Sequence, residues 1–368
     1  MCGFSFTVFL SAFQLLPTAP FRIRELGGST SVSGLFLGFL TYASALSAPV
    51  TGRIADRTGR RRMLLVASGV ICLCSIAYAV TSSVPVMLAL VIVHGFFWSG
   101  LLSASSAYLT SFIPERRRAE GIGYWGLSSI AAVAVAPPVA FWILQQGGWR
   151  WICVSCIVLN ATMGAIAWTL DEPKVARGEQ IRGPFLEWRV LLMSFSLFLY
   201  TFGYGAITSF SAVYADALGV TPKSIYLTTL AITVLFTRPL SGALADRIGH
   251  RRVFIPCLVL IAAGLGLLAW HATRGTFVAS AVVFGLGFGT AYPVFVAYVL
   301  RDVGAHRRGA AFGAILAAFD TGVGTGSTTA GWLIQRFGFS VAFGTAAAVS
   351  AIALPYFVLV DRKLRYGR

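Results

Sequence analysis

The chain has 368 residues, of which 57% are apolar and only 11% are charged, and its formal net charge is +16. Soluble domains carry about 25% charged residues, so this composition excludes a water-exposed globular surface and indicates a membrane protein. The predicted elements are long apolar stretches that follow one another along the whole chain.

A helix that crosses the hydrocarbon core of a bilayer needs about 20 apolar residues. Reading from residue 1 gives twelve such spans, with approximate bounds 2–21, 33–52, 63–81, 85–108, 121–144, 150–170, 189–212, 224–245, 253–271, 275–299, 309–334 and 338–360. The longest interval is 171–188, which is too short for a soluble catalytic or nucleotide-binding domain. We therefore expect an all-α integral membrane protein whose function resides within its helices.

The first span starts beside Met1 with no basic residue before it, so whether Met1 is the true start is left open. This span lacks the charged leading region and small-residue cleavage site of a signal peptide, and we interpret it as a retained helix. Most of the 29 basic residues lie after even-numbered spans and in the C-terminal tail, at 53–62, 116–118, 174–189, 247–252, 301–308 and 362–368. This bias predicts a multi-pass protein of the inner membrane with both termini in the cytoplasm. The basic runs are topology signals, so we expect no nucleic acid partner.

Catalytic and metal-binding patterns are weak in this sequence. Cys153 and Cys156 form a CxxC, but on an apolar helix we interpret them as packing residues. GIGYWG at 121–126 starts a span without a preceding strand, and no P-loop occurs. We expect no enzyme activity, no cofactor and no metal.

An internal duplication organises the chain. GRIADRTGRRR starts at Gly52, and a second copy, GALADRIGHRR, starts at Gly242. The same offset relates Gly95 to Gly285, Tyr108 to Tyr298, Arg118 to Arg308 and Gly123 to Gly313. The twelve spans are therefore two copies of six, an arrangement typical of transporters that bind substrate at mid-depth between the halves.

The duplicated motif carries a resemblance to a known family. Its pattern, G-x-L-A-D-R-x-G-R-[KR], is matched at Gly52, Ala55, Asp56, Arg57, Gly59, Arg60 and Arg61, and again at Gly242, Leu244, Ala245, Asp246, Arg247, Gly249 and Arg251. The chain resembles the major facilitator superfamily over its whole length, and within it the bacterial drug:proton antiporters and sugar-efflux proteins. The resemblance implies two pseudo-symmetric six-helix bundles, 1–170 and 189–368, with a cytoplasmic linker at 171–188.

The two motif copies are predicted to form a conformational gate. Glycine permits the tight turn between antiparallel helices, and an aspartate beside basic residues can form an ion pair in one conformation and break it in another. The resemblance implies that Asp56 latches the cytoplasmic side in the outward-open state, with Asp246 as its weaker counterpart. A role in topology and turn geometry alone is the alternative. The predicted gate residues are Gly52, Asp56, Arg57, Gly59, Arg60, Gly242, Asp246, Arg247 and Gly249.

Asp320 is the only acidic residue that we place near the middle of a span. Ionisable groups at that depth are rare and mark ion or substrate pathways, so we predict proton coupling at Asp320. The alternative is that its carboxylate accepts hydrogen bonds from neighbouring helices or neutralises Arg238. We place Arg238 near the cytoplasmic surface, where that pairing would need a favourable tilt.

Substrate candidates lie on spans 1, 4, 7 and 10, which line the cavity in the superfamily. Gln14 and Tyr204 are related by the offset of the duplication and thus occupy equivalent positions in the two halves. His94 and Trp98 share one helix face, and ordinary packing is an equal alternative for every candidate. The predicted cavity residues are Gln14, His94, Trp98, Tyr200, Tyr204 and Tyr292.

Two departures weaken the antiporter pattern. The family's arginine on span 4 falls at Val91, and the antiporter glycines of span 5 are replaced around Pro137 by Ala132, Ala136 and Ala140. We still expect a monomeric secondary transporter that exports a neutral or amphipathic organic solute in exchange for protons. The alternatives are a lipid flippase and an importer working by symport or uniport; substrate, direction and coupling ion are not fixed by the sequence.

Overall fold

The computed structural model describes residues 1–113, 118–171, 188–270, 273–301, 303–304 and 308–366. Within these residues the chain forms eleven α-helices and no strand. The helices are α1 Cys2–Glu25, α2 Thr30–Thr58, α3 Arg60–Val80, α4 Val84–Phe112, α5 Arg118–Thr169, α6 Trp188–Ala217, α7 Ile225–Ile248, α8 His250–Trp270, α9 Arg274–Leu300, α10 Arg308–Phe337 and α11 Phe339–Tyr366.

Helix α5 contains two of the predicted spans. Its backbone is non-helical at Gly148, with φ 69° and ψ −164°, a conformation that glycine adopts without steric cost. The next residue, Trp149, is anchored because its indole Nε1 donates a 2.8 Å hydrogen bond to the carbonyl of Tyr78. Counted on either side of Gly148, the described helices provide the twelve predicted segments.

Ten of the described helices, with α5 counted once, are long and apolar enough to cross a membrane. Helix α10 is outside this set, since its residues 320–328 are aspartate, glycine, threonine and serine except for Val323, which lowers its hydropathy. The prediction of an all-α integral membrane protein is confirmed.

The chain divides into two compact units. The first comprises Met1–Gly28 and Phe39–Gln180, and the second comprises Ser29–Gly38 and Ile181–Arg368. Helix α2 thus contributes its first turns to the second unit and the rest of its length to the first.

In the first unit, α5 packs against α1 and α3, and α3 packs against α4. An apolar core that includes Phe4, Leu64 and Leu101 fills the space between these helices. Polar side chains inside the bundle bind one another, as where Asn160 Nδ2 donates to Ser75 Oγ at 3.0 Å. Such pairing satisfies groups that would be costly to bury alone.

In the second unit, α6 packs closely against α10, α9 against α7 and α8, and α11 against α6 and α8. Glycines allow the close approach of α6 and α10, since a Cβ at Gly326 would collide with the carbonyl oxygen of Phe202. The first turns of α2 join this packing because Ser327 Oγ donates to the carbonyl of Gly34 at 2.8 Å.

All six cysteines are free thiols. Cys74, Cys153, Cys156 and Cys257 are buried, Cys72 is partly buried, and Cys2 is exposed. The buried thiols occupy packing positions on apolar helices, which fits the interpretation of Cys153 and Cys156 from sequence.

Candidate functional site

Arg238 lies at the centre of a polar and aromatic cluster inside the second unit. Its guanidinium carbon is 5.9 Å from the centroid of the Tyr292 ring, which is a cation–π distance. The same charge interacts electrostatically with the hydroxyls of Tyr200 and Tyr204 as well as that of Tyr292. Helices α6, α7 and α9 therefore direct one cation and three phenol groups to a common place.

Aromatic rings form the apolar part of this cluster. Tyr204 stacks on Phe288 with ring centroids 4.4 Å apart and an interplanar angle of 17°. Phe319 of α10 meets Tyr292 edge-on at 5.4 Å. These rings provide flat apolar surfaces beside the guanidinium group.

Asp320 adds a carboxyl group to the cluster. It follows Phe319 on α10 and interacts electrostatically with Tyr292, which also interacts with Arg238. The structure therefore brings together four residues that the sequence predicted, namely Tyr200, Tyr204, Tyr292 and Asp320.

The sequence-based expectation for Arg238 was wrong. We placed it near the cytoplasmic surface, whereas it lies about 15 Å along the helix axis from the end of α7 at Ile248. The helix continues to Ile248, three residues beyond the predicted span 224–245. A long side chain at this depth reaches the ring of Tyr292.

The internal duplication contains a signal that could have identified Arg238. At the equivalent positions of the first half, the chain has apolar residues in place of the polar ones. The duplication places Ala48 at the position of Arg238 and Leu102 at that of Tyr292. It places Ile130 at the position of Asp320 and Leu10 at that of Tyr200. Since both copies form the same helices, helix packing does not require polar side chains at these positions.

The residues of the cluster differ in solvent exposure. Tyr200 is 0% exposed, and within the described part of the chain its hydroxyl has no hydrogen-bond partner. Arg238, Tyr204, Tyr292 and Asp320 are only partly buried. An unpaired buried hydroxyl costs free energy of about 1–3 kcal/mol. A ligand that accepts a hydrogen bond from the Tyr200 hydroxyl would recover this cost.

The remaining predicted cavity residues belong to the first unit. The side-chain oxygen of Gln14 accepts a 2.8 Å hydrogen bond from Ser155 Oγ, so that oxygen takes part in helix packing. His94 is 3% exposed and lies beside Tyr78 and Trp98, at centroid distances of 6.2 and 6.5 Å. Trp98 also meets the ring of Phe9 at 5.7 Å.

The predicted gate glycines have unequal roles in the turns. Gly59 has φ 104° and Gly249 has φ 94°, and each links two helices in the left-handed region that favours glycine. Gly52 and Gly242 lie inside α2 and α7 with open space where a Cβ would be. The turns therefore depend on Gly59 and Gly249, whereas Gly52 and Gly242 lie within helices.

Among the charged gate residues, Arg57, Asp246 and Arg247 are exposed. Arg60 Nη1 donates a 2.7 Å hydrogen bond to the carbonyl of Ala107 on α4. The side chain of Asp56 lies outside the described residues. Arg57 and Arg247 occupy equivalent positions of the two copies and are both exposed, whereas Arg60 is bound to α4.

A second polar network, which the sequence did not suggest, joins α8, α9 and α11. Arg251 Nε lies 3.1 Å from Asp361 Oδ2, and the hydroxyl of Tyr298 donates to Asp361 Oδ1. The first copy has Asp171 and Tyr108 at equivalent positions, but there Tyr108 donates to the backbone carbonyl of Asp171 at 2.9 Å. Tyr108 and Tyr298, like Asp171 and Asp361, are separated by the same offset as the two motif copies. This shared offset is the sequence signal that could have identified the network.

The described residues contain no group of three or more histidine, cysteine, aspartate or glutamate side chains that could hold a metal ion.

Comparison with known proteins places the chain in a family. The sequence model described as Major Facilitator Superfamily matches residues 1–229 and 193–367. An uncharacterised MFS-type transporter of Pseudomonas aeruginosa (strain UCBPP-PA14) is 27% identical over 98% of this chain and 92% of its own length. The MFS-type transporter YhhS of Escherichia coli (strain K12) is 24% identical over 95% of this chain and 89% of its own length.

A solved structure has the same fold. The bacterial homologue of the human lysosomal transporter Spinster superposes with a TM-score of 0.80 at 16% identity, covering 98% of this chain and 95% of that chain. These proteins are transporters and not enzymes, as expected for this chain. The chain is a multi-pass membrane protein that belongs to the Major Facilitator Superfamily.

Proposed function

We propose that the protein is a proton-coupled secondary transporter of a small organic solute, with Asp320 as the proton-carrying group. The observation that supports this proposal is that Asp320 and Arg238 both interact with Tyr292. Ionisable side chains within transmembrane segments are costly and usually belong to substrate or ion pathways. We also propose a monomer in a bacterial inner membrane, with both termini in the cytoplasm.

The partial exposure of Arg238 and Asp320 supports a water-accessible site. A charged group that faced lipid would be strongly destabilised, so the accessible parts of these side chains are expected to face water. The aromatic rings of Tyr204, Phe288 and Phe319 beside them are suited to the apolar part of a solute.

Two directions of proton movement are candidates. The resemblance to drug:proton antiporters favours export of a neutral or amphipathic solute in exchange for protons. Arg238 favours the second candidate, symport, because a fixed cation that shares Tyr292 with a protonatable carboxyl can bind an anion when the carboxyl is neutral. The two candidates predict opposite responses to an imposed proton gradient.

The experiment is solute movement in proteoliposomes that hold the full chain under a proton gradient of either sign. Candidate solutes first come from a thermal-shift screen, and labelled lipids are included to detect flippase activity. We expect gradient-driven movement of a solute in the wild type, and its loss in Asp320→Asn with solute exchange retained. A matched control is Asp216→Asn, which removes a surface carboxylate 2.6 Å from Lys223. Unchanged proton-driven movement in Asp320→Asn would refute the proposal.

A further inference from the structure

We propose that the cluster of Arg238, Tyr200, Tyr204, Phe288 and Tyr292 binds a planar organic monoanion, such as an aromatic carboxylate or sulfonate. This inference rests on the proposed transport function and names the class of solute. Of the two kinds of solute expected from sequence, neutral and amphipathic, it selects an amphipathic one with a single negative group.

The charged end of the solute is recognised by Arg238. A guanidinium group presents several N–H donors in one plane and matches the two oxygens of a carboxylate or sulfonate. The buried hydroxyl of Tyr200 interacts with that guanidinium and has no hydrogen-bond partner among the described residues. An anionic oxygen supplies the acceptor that this hydroxyl lacks.

The apolar end of the solute is recognised by the aromatic rings. Tyr204 and Phe288 are stacked, and Phe288 lies 6.4 Å from Phe319, so the flat faces favour a planar group. The cluster provides one cation, Arg238, among the described residues around Tyr292. A dianion would bring a second charge into this apolar surrounding without a partner, and such a charge is costly to bury.

A purely structural role for Arg238 does not explain why the equivalent position of the first copy has no cation. Arg238 could stabilise the second unit by its contact with the Tyr292 ring alone. The first copy, however, folds the same helices with Ala48 and Leu102 at these two positions. Of these two equivalent sites, the one in the second copy has the cation, the ring and Asp320 together.

The protonation state of Asp320 is expected to set the affinity of the cluster for the anion. Tyr292 from α9 is the titratable group described as interacting with Asp320. Tyr292 also interacts with the charge of Arg238 from α7, which in turn interacts with Tyr200 and Tyr204 from α6. An ionised Asp320 repels the anion and attracts Arg238, whereas a protonated Asp320 does neither. Anion and proton therefore support each other's binding, which corresponds to symport.

The test is calorimetric titration of the full chain in nanodiscs of zwitterionic lipid. Naphthalene-2-sulfonate is the probe because its charge does not change with pH. Its matched analogues are the neutral naphthalene-2-sulfonamide, the cation 2-naphthylmethylammonium, the dianion naphthalene-2,6-disulfonate and the ring-free methanesulfonate. We expect naphthalene-2-sulfonate to bind at least about tenfold more tightly than each analogue.

Variants assign the binding to the cluster. Arg238→Gln is expected to lose about tenfold or more in affinity, and Arg238→Lys less, whereas the exposed Arg336→Gln serves as an unaffected control. Arg238→Ala copies the residue of the first half, and its elution profile and unfolding midpoint show that the fold is retained. Equal binding of the sulfonamide, unchanged binding by a folded Arg238 variant, or no binding of the probe would overturn the proposal.

The pH dependence of binding separately tests whether protonation of Asp320 favours binding of the anion. Naphthalene-2-sulfonate is expected to bind more tightly as the pH falls, and Asp320→Asn to bind it independently of pH and at least as tightly as the wild type at low pH. Weaker binding at low pH would overturn the linkage and favour antiport. Proton-driven movement that depends on Asp320 would still support the proposed function if the anion proposal failed.

Discussion

Arg251 Nε and Asp361 Oδ2 lie 3.1 Å apart and connect the first turn of α8 to the last turns of α11. The side chain of Asp361 is 4% exposed, whereas that of Arg251 is 42% exposed. The carboxylate is therefore the buried partner, and it also accepts a hydrogen bond from Tyr298. Removal of the Asp361 carboxylate therefore affects the contacts of α11 with both α8 and α9.

We expect Asp361→Asn to destabilise the protein by about 1–3 kcal/mol, because Tyr298 loses a charged acceptor and Arg251 loses its ion-pair partner. The exposure of Arg251 screens the ion pair and limits the loss. The measurement is the thermal unfolding midpoint in detergent. Asp171→Asn is the matched control, since Asp171 is exposed and Tyr108 binds its backbone carbonyl. An equal loss in both variants would contradict the assigned role of the Asp361 carboxylate.

The close contact of α6 and α10 predicts a severe effect at Gly326. A methyl group at this position would collide with the carbonyl oxygen of Phe202, and overpacking of this kind costs about 1–3 kcal/mol. Gly326→Ala should lower the unfolding midpoint. On the same helix, Gly313 has open space around it, so Gly313→Ala should be neutral or slightly stabilising. Similar midpoints for the two variants would refute this packing explanation.

Tyr200 and Tyr226 predict opposite outcomes for the same substitution. The hydroxyl of Tyr226 lies 3.1 Å from Ser280 Oγ, so Tyr226→Phe should lose about 1 kcal/mol of stability. Tyr200→Phe removes a buried hydroxyl without a described partner and should leave the unfolding midpoint unchanged or higher. It should nevertheless weaken binding of naphthalene-2-sulfonate about fivefold or more. Unchanged binding in Tyr200→Phe would exclude its hydroxyl as a ligand group.

The gate proposal predicts that Asp56→Asn abolishes transport while the protein is still produced and folded. Charge loss would remove the ion pair that latches one conformation, as the resemblance to the superfamily implies. Asp246→Asn, in the second copy, should have a weaker effect. Transport in proteoliposomes together with size-exclusion profiles provides the measurement. Normal transport by Asp56→Asn would leave only topology and turn geometry as roles for this residue.

The helices could be predicted from sequence because the length of an apolar segment is a local property. The boundary between spans 121–144 and 150–170 corresponds to the break at Gly148, although the two helices are otherwise continuous. The positive φ values at Gly59 and Gly249 also follow from local pattern, since glycine is the residue that accepts this conformation.

The candidate site could be predicted only in part. Tyr200, Tyr204, Tyr292 and Asp320 were found from their depth and helix number, but hydropathy does not tell toward which neighbour a side chain points. Gln14 therefore looked equivalent to Tyr204, although its side-chain oxygen is bound by Ser155. Arg238 was placed near the end of its span from the nearby motif loop, and the sequence pattern does not show that its side chain reaches Tyr292 on α9.

The distribution of cysteines makes this chain a convenient background for spectroscopy. Four of the six thiols are buried and Cys72 is partly buried, so Cys2 is the exposed thiol to replace. A Cys2→Ser chain should react slowly with water-soluble maleimides. Single cysteines introduced at exposed positions outside the predicted gate set, such as Thr58 and Ile248, could then carry spin or fluorescent labels, and the distance between labels could be followed as solute and protons are added.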